Sequence, residues 1–231
     1  ASAPRNDHAR NEAKGTPMKT VRLAALIVIL TAGPASARED WQYWSSWAAS
    51  HQLSDKDTLS FLGEMYAQDD MSDDYIYLMY ASYTRNVGQG FSILGQGYFE
   101  SVEHDTGDWT NTRSVVIGPV YRTSLGNDWS LKGQVRFFYQ LAPTAQWDYY
   151  RPRLALTKKL GSVSVSIEDE LRIDLAGSRE TDFFRNRVFV TCLKQLTDSV
   201  SIGLGYIRQS DRIDGEWESF NALHTLVKWE L

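Results

Sequence analysis

Arg151, Arg153, Glu168, Glu170, Arg185 and Arg187 sit in pairs, two residues apart, in three consecutive apolar segments of the chain. Side chains two apart share one face of an extended strand. Guanidinium and carboxylate groups at that spacing can form ion pairs across strands, or line or plug an aqueous passage. With a turn at Leu160-Gly161, Arg153 falls opposite Glu168 and Arg151 opposite Glu170. Symmetric pairing through the next loop sets Glu168 against Arg187 and Glu170 against Arg185. The expectation is two Arg–Glu–Arg rows, which a two-residue slip would undo. Unlike charges directly opposed in a sheet are modestly favourable. On a water-exposed sheet such pairs count for little; in a narrow lumen an unpaired charge would be costly.

Covalent chemistry has few candidates. Ser101, His104 and Asp105 share one polar segment, and a hydrolase would need them near a lipid-accessible rim in fixed geometry. The four histidines (His8, His51, His104, His224) form no H-x-x-x-H spacing, and Cys192 is the single cysteine. No internal disulfide, zinc site, cofactor or catalytic residue is therefore expected, and the chain is read as non-enzymatic.

The elements that carry these charges alternate. Trp129, Leu131, Gly133, Val135, Phe137 and Tyr139 share one face, and Ser130, Lys132, Gln134, Arg136 and Gln140 the other, with Phe138 as the exception. Val200, Ile202, Leu204 and Tyr206 alternate with Ser201, Gly203 and Gly205. Period two marks strands with two different environments. It predicts strands at 41–53, 58–68, 75–85, 90–103, 111–124, 129–140, 147–159, 162–174, 182–195, 199–210 and 217–231. Short turns (53–57, 86–90, 125–128, 160–161, 196–199) alternate with longer polar loops (69–74, 104–111, 141–147, 175–182, 211–216). Short turns at one end and longer loops at the other is the plan of a bacterial outer-membrane barrel. The fold expected is all-β: a single closed antiparallel up-and-down transmembrane β-barrel of 10–12 strands. An even number would bring both ends to one side, so Trp41 to Leu53 either lies outside the wall or has an overlooked partner.

Trp41, Trp44, Trp109, Trp129, Trp147, Tyr149, Tyr150, Trp217 and Trp229 gather near strand ends, as interfacial girdles do. Cys192 shares the lipid face with Val188 and Val190. Asp169 and Asn186 fit that face badly, which points to a rim position or a bulge. The alternative is a soluble periplasmic lipocalin-like binder, with the apolar face turned inward and the charges in water.

Met18 opens a basic n-region (Lys19, Arg22), an apolar run from Leu23 to Leu30 and an Ala35-Ser36-Ala37 cleavage site. This reads as a signal peptide over 18–37, preceded by an upstream segment, 1–17, and followed by the barrel, 38–231. The whole chain carries −5; removing five basic residues (Arg5, Arg10, Lys14, Lys19, Arg22) and two acidic ones (Asp7, Glu12) leaves −8. With no basic stripe, nucleic acid is not an expected partner; outer-membrane lipid is.

The run "YYRPRLAL…SIEDELRI…FFRNRVFVTCLKQLTDSVSIGLGYIRQS" resembles the uncharacterised outer-membrane barrels of domain-of-unknown-function family 2490. The likeness covers residues 41–231 and is strongest from Tyr149 to Gln209. It implies a barrel with Arg-rich hairpins, a Glu-containing strand and an N-terminal tryptophan segment. It implies no activity and carries over no catalytic residue.

Overall fold

A computed structural model describes residues 40–68, 73–104, 106–177, 183–213 and 215–231. The expected upstream segment and signal peptide lie outside the described residues. The described residues form eleven strands: β1 (Asp40–Gln52), β2 (Asp57–Gln68), β3 (Asp73–Gly88), β4 (Phe91–Glu103), β5 (Trp109–Gly126), β6 (Trp129–Ala142), β7 (Gln146–Leu160), β8 (Val163–Asp174), β9 (Phe183–Gln195), β10 (Val200–Ile213) and β11 (Glu216–Glu230). Their limits fall within three residues of those read from the alternation.

Consecutive strands pair antiparallel, and the sheet closes on itself. The closing seam differs. β1 and β11 run parallel, from Asp40 opposite Phe220 to Ser50 opposite Glu230. Trp41 to Gln52 is thus part of the wall, and the even count expected for such barrels does not hold. An odd number of strands brings the first and last together in the same direction, and the parallel ladder still leaves no open edge. The two ends of the wall consequently lie on opposite rims. Asp40 stands with the long loops (the loop rim) and Glu230 with the short turns (the turn rim).

The tight turns have the residues their backbone needs. Between β5 and β6, Gly126, Asn127 and Asp128 hold φ of +81°, +50° and +62°, a left-handed region that Gly, Asn and Asp tolerate. Between β7 and β8 the turn residues are Gly161 and Ser162, with Leu160 opposite Val163. This shifts the pairing by two from the Leu160-Gly161 expectation. Arg153 faces Glu170, not Glu168, and Ala155 faces Glu168. Across the next pair Glu170 faces Arg187 and Arg172 faces Arg185. The two Arg–Glu–Arg rows are therefore replaced by one, Arg153–Glu170–Arg187. A slip of two keeps every side chain on its face, whereas a slip of one would have turned the sheet inside out.

Sidedness follows the alternation, with apolar residues outside and charges inside. Leu154 and Leu204 are 55 % and 57 % exposed, while Arg151 and Glu170 are 2 %. Ile93, Val115, Ile117, Ile202 and Leu223 share the outer face. Rings on that face meet across strands near the loop rim: Tyr77 with Trp109 (centroids 5.7 Å apart), Tyr139 with Trp147 (5.3 Å) and Phe183 with Trp217 (5.2 Å). Near the turn rim Phe91 meets Tyr121 at 4.7 Å. Two of the expected girdle residues point the other way: Trp44 and Tyr149 are buried in the lumen.

Candidate functional site

Along β6 and β7 the inward side chains descend from loop rim to turn rim in layers. Phe138 and Tyr149 come first, then Arg136 and Arg151, then Gln134 and Arg153, then Lys132 and Ala155. The first layer is aromatic. Phe138 is wholly buried, stacks on Tyr149 at 4.5 Å and meets Tyr98 edge-on at 5.5 Å. Tyr98 in turn contacts Tyr80 at 4.9 Å, and Phe184 packs edge-on against Tyr149 at 6.0 Å. Phe138 thus completes an internal layer, which accounts for its apparent misfit on a polar face. Tyr80, Leu78, Val116 and Ile207 are equally enclosed, so side chains fill the barrel at mid-height.

Beneath the rings lies the charge cluster. Glu170 is its hub. Arg136 Nη2 donates to Glu170 Oε2 at 2.8 Å, and Arg151, Arg153 and Arg187 stand 3.8 Å from its oxygens. Arg153 binds Glu168 at 2.6–2.8 Å in spite of the shifted register, because long side chains reach a diagonal partner. Arg185 is held by Asp211 through two donors, and Arg187 Nε donates to Gln209 Oε1. Ring faces complete the packing. Arg151 lies 4.9 Å from the Phe138 centroid, Arg172 5.3 Å from Tyr149, Arg153 4.7 Å from Phe189 and Arg187 4.9 Å from Trp44. A guanidinium has a polar edge and a face that stacks on aromatic rings, so acids at its edge and rings at its face let it be buried.

All six charges singled out in the sequence share this interior. Arg136 and Asp211 complete it. Arg136 was visible on the polar face of its strand, but nothing local brought it to Glu170. Asp211 was assigned to a loop, because β10 runs three residues beyond its expected end.

Other constellations are chemically quieter. Ser46 Oγ lies 3.2 Å from Glu64 Oε1 and 2.9 Å from His224 Nε2. A carboxylate only accepts, so the serine proton goes to Glu64 and the imidazole donates to the serine oxygen. That direction is opposite to what a serine nucleophile needs, and His224 Nδ1 has no partner to orient it. His104 Nε2 is 2.7 Å from Thr110 Oγ1. Ser101 sits opposite Asn111 within the wall, and Asp105 lies outside the described residues. Asn186 Nδ2 donates to Asp169 Oδ1 at 2.6 Å, so the two misfit outward residues satisfy each other. Cys192 is exposed on the outer face.

A family model for proteins of unknown function, DUF2490, matches residues 41–219. The chain belongs to this family. The match takes in β1 to β10 and the whole charge cluster, and ends in the first turn of residues of β11. No curated protein matches the sequence.

Proposed function

We propose that this protein is a non-enzymatic barrel of the bacterial outer membrane whose lumen is closed at mid-height. The observation that carries the reading is the reversal of the usual soluble pattern: bulky apolar side chains are exposed all round the wall while Arg136, Arg151, Arg153, Glu168, Glu170 and Arg187 face inward. Strands of 12 to 18 residues exceed the roughly 9–11 that a tilted membrane strand needs. Aromatic pairs near both rims suit the two headgroup layers. A lipocalin-like binder would need the opposite sidedness, with its apolar face lining the cavity. The layer of Phe138, Tyr98, Tyr80 and Tyr149 above the Glu170 cluster favours a plugged, structural barrel over an open pore.

Two measurements test this. Protein in purified outer membranes should migrate differently on a gel before and after boiling, as closed detergent-resistant barrels do. Recovery in osmotic-shock fluid with no such shift would overturn the membrane reading. Purified protein in planar bilayers should show no steady open current; sustained conductance by the unmodified chain would overturn the closed lumen.

A further inference from the structure

On the turn side of the Glu170 cluster lies a cavity of about 390 Å³, within the size range of small-ligand sites. Its wall includes Arg136, Arg151, Arg153 and Arg187 together with the hydroxyls of Ser166 and Thr191. A second cavity of about 440 Å³ at the turn rim shares Thr157, Ser164 and Leu193 with the first. The shared residues form the neck between the two, and the wall of the outer cavity sets Lys159 and Lys228 against Asp128, Asp198 and Glu230.

We infer that this cavity is a binding site for a small oxyanion, a carboxylate or a phosphate, held by the guanidinium groups of Arg136, Arg151 and Arg187. Three observations carry it. Four arginines converge on one carboxylate, yet only Arg136 is within hydrogen-bond range of it; at 3.8 Å the others are not. Second, Arg136 Nε and Arg151 Nε and Nη2 are buried without a hydrogen-bond partner, in side chains only 9 % and 3 % exposed, and so is Glu170 Oε1, 3.8 Å from Arg151 Nη1. Buried donors in native proteins are normally satisfied, and an oxyanion offers several acceptors at once. Third, the stacking of Arg151 on Phe138 and Arg187 on Trp44 fixes two donor forks in place, which suits bidentate recognition of carboxylate or phosphate.

The acids on the wall leave the balance positive. Glu168 is occupied by Arg153, and Glu64 accepts from Ser46 and Tyr66. Four arginines against Glu64, Glu168 and Glu170 give one positive charge in excess with His224 neutral. The inference concerns the interior of the barrel and stands apart from its placement in a membrane.

The test is calorimetric titration of the folded protein in detergent with inorganic phosphate and, separately, succinate, each against chloride at equal ionic strength. Saturable binding of either is expected, and which of the two binds assigns the source of the oxyanion. Arg151→Lys and Arg187→Lys keep the charge and lose the fork; each should weaken binding at least tenfold. Ser164→Trp narrows the neck without touching the cluster and should abolish binding, so it decides if the lysine variants do not fold. Absence of binding to the unmodified protein, an equal effect of chloride, or unchanged affinity in the variants would overturn the site.

Discussion

Two halves of the wall fill the same lumen in opposite ways. β2 to β5 present Leu78, Tyr80, Leu94, Tyr98, Val116 and Val120 inward, with small Ser82, Ser92 and Ser114 between them. β7 to β10 present Arg151, Glu170, Arg172, Arg187, Gln209 and Asp211. The first half pairs its own rings, Tyr80 with Tyr98, and the second lays Arg172 on Tyr149 and Arg153 on Phe189. β6 joins them, since Phe138 meets the rings and Arg136 meets Glu170. Charge burial here thus depends on cross-barrel shape as much as on ion pairing. Gly118 makes the junction close-packed, because a Cβ there would lie 1.7 Å from the Val135 carbonyl oxygen.

That contrast can be broken in graded steps. The largest effect belongs to Glu170→Gln. It leaves four guanidiniums without their common carboxylate, and the loss should be about 3–5 kcal/mol, read as a lowered urea midpoint of the folded gel band. Glu168→Gln serves one arginine only and should cost about 1.5–3 kcal/mol in the same assay. A result in which Glu168 matters more than Glu170 would reverse the assignment of the hub. Gly118→Ala forces β5 and β6 apart at the junction and should cost about 1–3 kcal/mol. Asp57→Asn should leave the midpoint unchanged, since its contacts with Tyr83 and Arg85 lie on the exposed turn rim. The membrane reading also predicts sidedness. In a Cys192→Ser background, an impermeant maleimide should label Gly107→Cys in intact cells, and Ser199→Cys only after the outer membrane is opened.

The sequence carried the strands, their faces and the inward charges, because alternation is a local property that two-residue shifts do not disturb. Arg151, Arg153, Glu168, Glu170, Arg185 and Arg187 were legible for that reason. Partnership was not. Which acid meets which arginine depends on where each turn closes; at Gly161-Ser162 one step along the chain moved every β7–β8 partner by two. Closure was also beyond local reach. The parity of the strand count, the parallel β1–β11 seam and the meeting of Arg136 with Glu170 belong to the whole ring. Only in the closed barrel do side chains from distant segments compete for one enclosed volume, and that competition decided that the lumen is filled at mid-height, with rings toward the loops and charges beneath them.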